Sequence, residues 1–507
     1  MQTTVTCAAL SGVTADPVQV EVDLAMGLPA FTIVGLPEGA VRESKVRVAA
    51  ALSNCGYAMP PRKVTVNLAP ADLKKSGSAF DLAIALGLLA GAGLVEPERM
   101  AGAMIVGELG LDGRCRPVPG ALPYALSARR NGYRTLLVAA DNAREASVAA
   151  GVDVIPVGDL PAAVMHLNGE STIPAQPSTK AVPTADGGDT DMSEVKGQEH
   201  AKRALEVAAA GGHNAIMIGP PGSGKTMLAR RLTTILPPLS FEEMLEVSAA
   251  HSVLGLTSAA RPLVTKRPFR APHHTVSDAG LVGGSNPPRP GEVSLAHNGI
   301  LFLDELPEFK RHVLEVLREP LEEGAITISR AAGNATFPAS FNLVASMNPC
   351  PCGYHGTGDR ECTCTTAAVE RYRSRISGPL LDRIDLHVEV PSVGVRELTS
   401  RAPAETSAQI RARVLEAREI QRGRFERTGV RTNGGMSLKQ IHRHCELDPR
   451  GKALIERAIE RLGLSARAYA RILKVARTIA DLAGEGPVTA GHVAEAIGYR
   501  NLDRSQA

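Results

Sequence analysis

The stretch "NAIMIGPPGSGKTMLARRL", residues 214–232, decides the fold of this 507-residue chain. A short apolar strand runs into the loop Gly219–Thr226, and a helical pattern follows the loop. Glycines in such a loop let backbone N–H groups turn inward around phosphate oxygens, and the helix N-terminus adds the positive end of its dipole. Lys225 is expected to reach the β- and γ-phosphates, and the Thr226 hydroxyl is expected to hold Mg²⁺. The stretch therefore predicts a P-loop α/β domain that binds ATP with Mg²⁺.

A P-loop needs a second, acidic strand, and "GILFLDELPEF" (residues 299–309) supplies one. Four apolar residues, Ile300–Leu303, are followed by Asp304 and Glu305. Asp304 is expected to complete the Mg²⁺ shell, and Glu305 is placed to polarise the attacking water as a general base. The predicted nucleotide-binding residues are Gly219, Pro220, Pro221, Gly222, Ser223, Gly224, Lys225, Thr226 and Asp304.

Two further polar residues mark the ends of strand patterns. The apolar strand in "FNLVASMNPC" (residues 341–350) ends at Asn348, where a polar side chain beside the P-loop can orient the lytic water. "RISGPLLDRIDLHVEV" (residues 375–390) places Arg383 between acidic residues just before another apolar strand. Taken alone, Asn348 would more often be a turn former and Arg383 an ordinary ion-pair residue.

The bulk composition sets limits on the class of protein. Hydrophobic residues make up 44% of the chain and charged residues 21%, with a net charge of +3. These values are ordinary for globular proteins, and the length suggests two to four domains. The first residues lack the basic and apolar pattern of a signal peptide, and the longest apolar run, Leu82–Val95, is too short to span a bilayer. We therefore expect a cytoplasmic protein without a membrane segment.

Changes in composition divide the chain into four segments. Residues 1–168 alternate strand-like and helix-like patterns, and residues 169–190 are a linker rich in Pro, Ser, Thr and Gly. Residues 191–392 form a second α/β domain, and residues 393–507 are mostly helical. From Ser392 onward, 21 Lys and Arg stand against 13 Asp and Glu. This excess is consistent with a solvated helical face or with a phosphate-contacting surface.

Together, "GPPGSGKT", "ILFLDE", "ASMNPCPCG" and "SRISGPLLDRIDL" resemble AAA+ ATPases of the magnesium-chelatase group, and within it the bacterial ComM/YifB-type proteins. The resemblance covers nearly the whole chain and implies a P-loop AAA+ αβα core with a helical C-terminal lid. It also implies that Asn348 is the sensor-1 residue, that Arg383 is an arginine finger for a neighbouring subunit, and that Arg467 is the sensor-2 arginine. An arginine finger acting between subunits implies a ring, here a homohexamer.

The resemblance also accounts for segments inserted into the core. The family carries an extra segment between the P-loop and the acidic strand, here "FRAPHHTVSDAGLVGGSNPPRPGE" (residues 269–292). "AITISRAAGNATFPAS" (residues 325–340) resembles the hairpin that touches DNA in related helicases, with Ala332-Gly333-Asn334 at its tip. His273 and His274 are expected to make structural or polar contacts more often than to bind a metal.

The N-terminal segment resembles the Lon-protease-type α/β domain that RadA-like repair proteins also carry, through "VTVNLAPADLKKSGSAFDLAIALGLL" (residues 64–89). Lon proteases use a Ser–Lys dyad. Matching the segments places Ala79 at the serine and Leu122 at the lysine, and neither residue can do the chemistry. A small alignment error could hide a dyad among the neighbouring residues Lys74, Lys75, Ser76 and Ser78. We expect the domain to support oligomerisation or to carry DNA.

Three activities are compatible with this ATPase. The resemblance favours a DNA motor, with helicase or branch-migration activity in the recombination of incoming single-stranded DNA during natural transformation. A second possibility is a chelatase motor, in which ATP hydrolysis drives metal insertion into a porphyrin. The third is an ATP-dependent Lon-like protease, which Ala79 and Leu122 oppose.

Four of the eight cysteines lie in "MNPCPCGYHGTGDRECTC", residues 347–364. Disulfides rarely persist in the cytoplasm. Cys350, Cys352, Cys362 and Cys364 suit a tetrahedral Zn²⁺ site, with His355 as a substitute ligand. Free thiols, a redox pair and a catalytic thiol remain as alternatives. A zinc ion here would fix the loop that follows Asn348.

Overall fold

The computed structural model describes residues 2–179, 190–330, 333–358, 360–394, 397, 404–462, 465–500 and 502. Over these ranges the chain is a mixed α/β protein with parallel strands in its sheets and a helical C-terminal region. None of the helices in these ranges has the length and apolar character that a bilayer crossing requires.

The N-terminal part is built around a seven-stranded sheet in the order β3-β4-β2-β1-β5-β8-β9. The sheet strands are β1 (Gln2–Ser11), β2 (Thr14–Ala25), β3 (Ala30–Val34), β4 (Lys63–Ala69), β5 (Ala103–Ile105), β8 (Thr135–Ala139) and β9 (Asp153–Val157). A separate antiparallel pair is formed by β6 (Glu108–Leu109) and β7 (Cys115–Arg116). The helices are α1 (Gly39–Asn54), α2 (Asp81–Gly91), α3 (Ala121–Arg130), α4 (Ala140–Ala146) and α5 (Leu160–Asn168). Every residue of α2 is buried, which explains why this helix is apolar on all sides.

The second part contains a five-stranded parallel sheet in the order β11-β14-β17-β10-β18. The sheet strands are β10 (Ala215–Ile218), β11 (Phe269–Arg270), β14 (Ile300–Leu303), β17 (Asn342–Met347) and β18 (Leu386–Glu389). The inserted strands are β12 (Gly283–Gly284), β13 (Arg289–Pro290), β15 (Ala325–Arg330) and β16 (Gly333–Pro338). The helices are α6 (Glu199–Gly211), α7 (Lys225–Ile235), α8 (Phe241–Ser252), α9 (Asp278–Val282), α10 (Glu292–Leu295), α11 (Arg311–Glu315), α12 (Arg318–Glu323), α13 (Thr366–Arg373) and α14 (Gly378–Leu381).

The hairpin predicted from residues 325–340 is present as the antiparallel pair β15–β16. Gly333 pairs with Arg330 and Asn334 pairs with Ser329, so both residues belong to the strand. The prediction that Gly333 and Asn334 lie at the tip is therefore wrong. Ala332 lies outside the described residues.

The C-terminal helices are α15 (Ser407–Phe425), α16 (Leu438–His444), α17 (Pro449–Leu462), α18 (Ala466–Leu482) and α19 (Ala490–Gly498). Several of their arginines are used inside the protein. Arg424 pairs with Asp481 at 2.6 Å, and the half-buried Arg418 donates to the carbonyl of Ala209 at 2.7 Å. Part of the basic excess of this region therefore holds the helices together and to the core, which supports the structural reading of that charge.

The N-terminal part packs directly on α8 and on the hairpin. The amide of Gly120 donates to the carbonyl of Ser252 at 3.0 Å. At Gly12, a Cβ atom would lie 2.8 Å from the carbonyl oxygen of Thr336 on β16, so only glycine allows this approach. The N-terminal part thus contacts the hairpin that was predicted to touch DNA.

A buried carboxylate joins the central sheet to the C-terminal helices. Asp385 accepts the backbone N–H of Asn214 at 3.2 Å and lies 3.3 Å from Nδ1 of His213, and it pairs with Arg471 of α18. Burial by itself would raise the pKa of Asp385, but the Arg471 guanidinium and the His213 contact outweigh burial and hold that pKa well below its usual range.

Replacing Asp385 with Ala is expected to lower the free energy of unfolding by about 3–5 kcal/mol, because Arg471 would keep a partly buried, unpaired charge. Since the folded-state pKa is depressed, this contribution is present above about pH 4 and is lost as the pH falls. Urea titrations at neutral and acid pH would measure both effects. Asp382→Ala, at a half-buried carboxylate on the preceding turn, is the control, and equal losses in the two variants would contradict the prediction.

Candidate nucleotide-binding site

The phosphate-binding loop connects the end of β10 to the start of α7. Gly222 and Gly224 have φ values of +80° and +89°, in the region that favours glycine. At Gly219, a Cβ atom would lie 2.0 Å from the carbonyl oxygen of Val390, so no other residue fits there. The amide of Gly219 donates to the carbonyl of Met347 at 3.2 Å, which ties the loop to the neighbouring strand β17.

The Lys225 side chain is hydrogen bonded to the backbone of the loop. Its ammonium donates to the carbonyls of Gly219 at 2.7 Å and Pro220 at 2.8 Å, and it lies 3.3 Å from Oδ1 of Asn348. Burial lowers the pKa of Lys225. The positive charge of Lys225 therefore lies at the loop, next to Asn348, the side chain predicted to orient water.

Thr226 and Asp304 meet at the edge of the sheet. The Thr226 hydroxyl donates to Oδ2 of Asp304 at 2.9 Å, and the Ser346 hydroxyl is hydrogen bonded to Oδ1 of the same carboxylate. A hydroxyl and a carboxylate are oxygen ligands of the kind that Mg²⁺ prefers. The residues present therefore fit the predicted ion. Ser346 was not predicted, although its place on β17 next to Asp304 follows from parallel pairing.

Glu305 sits in a left-handed backbone conformation, with φ of +54°. Its amide donates to Oδ1 of Asp304 at 3.1 Å and to the Ser346 hydroxyl at 3.3 Å, and these bonds hold the turn. The carboxylate is more than half exposed, and one of its oxygens lies 3.9 Å from Nδ1 of His274. The His273 and His274 rings are 4.0 Å apart, and His273 contacts the Thr275 hydroxyl at 2.9 Å. The histidine pair makes polar contacts, as expected, and within the described ranges it belongs to no cluster of metal ligands.

Asn348 has a neighbour that the sequence did not single out. The Tyr372 hydroxyl on α13 lies beside the backbone of Asn348, a polar contact that by itself would lower the pKa of Tyr372. Burial raises the pKa of Tyr372 to about 12, so the hydroxyl stays protonated at neutral pH. Arg373 donates to the carbonyl of Pro349 at 3.4 Å. Only the periodicity of α13 could have indicated that Tyr372 faces inward.

Arg383 lies at the opposite end of the sheet from the phosphate-binding loop. Its carbonyl accepts a hydrogen bond from Asn214, which precedes β10, whereas the loop follows the other end of that strand. A four-residue strand is about 13 Å long. The buried guanidinium pairs with Glu322 and donates to the carbonyl of Pro379, and its Nε has no partner among the described residues. Arg383 is therefore held away from the nucleotide site of its own chain.

Arg467 is exposed on the first turn of α18 and makes no hydrogen bond or ion pair within the described part of the chain. One turn further along this helix, Arg471 is bound to Asp385 and to the carbonyl of Arg383. The structure thus brings Lys225, Thr226, Asp304, Glu305 and Asn348 together, while Arg383 lies at the opposite end of the sheet and Arg467 is exposed.

Comparisons with known proteins give the family. The profile described as "Magnesium chelatase, subunit ChlI" matches residues 191–398, "Subunit ChlI of Mg-chelatase" matches residues 20–142, and "Magnesium chelatase, subunit ChlI C-terminal" matches residues 404–500. The chain belongs to the magnesium-chelatase-like AAA+ family. It is 46% identical to Competence protein ComM of Haemophilus influenzae over 98% of this chain and 97% of that protein. It is also 46% identical to YifB of Escherichia coli, over 98% of this chain and 96% of that protein.

The likeness to magnesium chelatases themselves is more distant. The magnesium-chelatase 38 kDa subunit of Cereibacter sphaeroides is 28% identical to this chain, over 31% of the chain and 52% of that subunit. The match to ComM and YifB, in contrast, spans nearly the full length on both sides, so the resemblance stated from the motifs is confirmed.

Within this magnesium-chelatase-like protein, the four clustered cysteines converge. The Sγ atoms of Cys350, Cys352 and Cys362 are 3.3–3.7 Å apart, and that of Cys364 lies within 4.8 Å of each of them. A disulfide needs about 2.05 Å, so these thiols are unpaired. Tetrahedral Zn²⁺ with Zn–S bonds of about 2.3 Å places its sulfurs about 3.8 Å apart. The donor set and its spacing therefore fit Zn²⁺, and His355 is exposed and outside the cluster.

The Ser–Lys dyad of a Lon-like domain is not formed by the matched positions. Ala79 and Leu122 are both buried apolar residues. Of the neighbouring residues, Lys75 is buried and bound to the carbonyl of Pro70, and its burial lowers its pKa. The Ser78 hydroxyl is bound to Glu108. Lys75 and Ser78 are thus each bound to another residue and not to each other.

Proposed function

We propose that this protein is an ATP-hydrolysing ring motor that acts on DNA in the cytoplasm, with helicase or branch-migration activity during recombination of incoming DNA in natural transformation. The observation that carries ATP hydrolysis is the meeting of Lys225, Thr226, Asp304, Glu305 and Asn348 at one edge of the parallel sheet. The DNA role is supported by full-length similarity to a protein named for competence and by the β15–β16 hairpin.

Each residue at this edge has a task in the proposed reaction. The backbone amides of the loop and the Lys225 ammonium bind the phosphates of ATP. Thr226 and Asp304 would hold Mg²⁺, which neutralises charge that develops on the phosphate oxygens. Glu305 takes a proton from the attacking water, and Asn348, beside Tyr372 and Lys225, orients that water.

Arg383 is proposed to act on the nucleotide of a neighbouring subunit. Its place at the far end of β10 is incompatible with a role at its own phosphate-binding loop and suits a head-to-tail ring, which we propose is a homohexamer. Assembly would exchange its contact with Glu322 for the γ-phosphate. Arg467, exposed on α18, is proposed to close the C-terminal lid over the nucleotide.

Two further proposals concern other parts of the chain. Cys350, Cys352, Cys362 and Cys364 are proposed to hold a structural Zn²⁺. The N-terminal part is proposed to be a Lon-like domain that supports oligomerisation or carries DNA, because its matched dyad positions are Ala79 and Leu122. Those two residues also oppose the protease alternative.

A chelatase motor is the second candidate function, supported by the partial match to the magnesium-chelatase 38 kDa subunit.

ATP turnover measured with and without forked or three-stranded DNA tests the main proposal. Both substrates are expected to stimulate turnover, and strand displacement is expected to follow. Low salt is essential because contacts with phosphates weaken steeply as salt rises. Lys225→Ala should abolish turnover and displacement, whereas Lys310→Ala, at an exposed lysine, should leave both unchanged. ATP turnover that neither DNA substrate changes would contradict the DNA role. The chelatase motor would then be the remaining candidate.

Replacing Arg383 with Ala is expected to spare nucleotide binding and to stop hydrolysis. Neither Arg383→Ala nor Lys225→Ala should then be active alone. Mixing the two variants should restore hydrolysis, because about a quarter of the head-to-tail interfaces in a mixed ring combine an intact loop with an intact arginine. A mixture as inactive as its components, or a monomer with normal turnover, would contradict the assignment.

Metal analysis tests the zinc proposal. Freshly purified, reduced protein is expected to contain about one Zn²⁺ per chain, because four thiolates complete a tetrahedral site. Cys362→Ser should lose most of this metal, and Cys55→Ser, outside the cluster, should keep it. Zinc below about one fifth of an equivalent in the unaltered protein would contradict the proposal.

A further inference from the structure

The loop that carries the cysteines lies directly against the phosphate-binding loop. At Gly353, a Cβ atom would lie 2.6 Å from Cδ and 2.8 Å from Cγ of Pro221. Gly353 is buried, has φ of +89°, and donates its amide to the carbonyl of Cys350 at 3.0 Å. The turn made by the first cysteine pair is therefore packed on the proline ring at the centre of the P-loop.

This contact is the last of three along one segment. Met347 accepts the amide of Gly219, Asn348 contacts the Lys225 ammonium, and Gly353 touches Pro221. Residues 347–353 thus touch the phosphate-binding loop at its first residue, at its lysine and at Pro221. Any movement of the turn at Gly353 would reach the loop that binds phosphate.

Open space lies next to the contact between Gly353 and Pro221. A cavity of about 390 Å³ separates Gly219 and Pro220 from His355, Gly356 and Thr357 of the cysteine loop. Between these two loops, the turn at Gly353 therefore touches the phosphate-binding loop beside a gap in the packing.

The cysteine loop has no regular secondary structure among its described residues, because no helix or strand lies between β17 and α13 there. The loop begins at Asn348, at the end of β17, and ends at the start of α13. On α13, Tyr372 lies beside the backbone of Asn348, and Arg373 donates to the carbonyl of Pro349. A cross-link between the cysteine pairs would remove the conformational freedom of the residues between them.

We propose that the Zn²⁺-bound cysteine loop is a clamp on the phosphate-binding loop, so that zinc occupancy sets the affinity for ATP through the contact of Gly353 with Pro221. This inference rests on the proposed zinc site and on the proposed binding of ATP. The clamp positions Pro221 and does not itself touch the phosphates. Loss of zinc is expected to raise KM for ATP more than it lowers kcat, because Glu305 and Asn348, the residues proposed to act on water, come directly after β14 and β17 and are held by the parallel sheet.

Removing the metal tests this clamp. The full-length protein is treated with a soft-donor chelator that takes Zn²⁺ and leaves Mg²⁺, and ATP turnover and nucleotide affinity are measured. KM is expected to rise about tenfold, and added Zn²⁺ should restore it, with unchanged far-ultraviolet circular dichroism. An unchanged KM after complete loss of zinc would overturn the clamp while leaving both the zinc site and the ATPase standing.

A substitution with an internal control separates the contact from the metal. Gly353→Ala forces a methyl group against Pro221, and it should raise KM about tenfold while Zn²⁺ stays bound. Gly356→Ala, in the same loop and also at positive φ, meets open space and should leave KM within about twofold. Equal KM values for Gly353→Ala and Gly356→Ala would overturn the proposal.

Discussion

The parallel pairing of β10 with its neighbours β17 and β18 is the constraint on which the site depends. Ile218 lies opposite Met347 and Glu389, so all three strands end at the same level. Because the strands run the same way, their last residues and the loops that follow them meet at one edge. A strand shifted by one residue would turn its side chains to the other face and separate Asn348 from Lys225.

The same geometry places residues that precede the strands at the opposite edge from residues that come after them. Arg383 and Asp385 precede β18, and they therefore lie beside Asn214 at that opposite edge. There Asp385 bonds to α18 through Arg471, so the end of the sheet that lacks the phosphate-binding loop is the end that holds the C-terminal helices. A residue at this edge lies about the length of a four-residue strand away from the phosphate-binding loop of its own chain. The fold itself thus links proposed catalysis to proposed assembly.

Charge in this protein is a weak guide to DNA contacts. Arg418, Arg424 and Arg471 belong to the basic C-terminal region, yet each is bound to groups inside the protein. A half-buried guanidinium that is already bound in this way offers little to a phosphate backbone. The hairpin β15–β16 is a better candidate surface, because one face of β15 is exposed through Thr327 and Ser329 while the hairpin packs against the N-terminal part at Gly12.

The sequence by itself determined the nucleotide site, because its residues sit at the ends of apolar strands, and strand periodicity and glycine spacing are local properties of the chain. It also determined the hairpin, though not its tip, and the cysteine set. Only the tertiary structure decided that Tyr372 lies beside Asn348, that Ser346 binds Asp304, that His274 lies beside Glu305, and that Gly353 presses on Pro221. Each of these contacts joins residues from different elements, and their meeting depends on how sheets and helices pack, which no local pattern encodes.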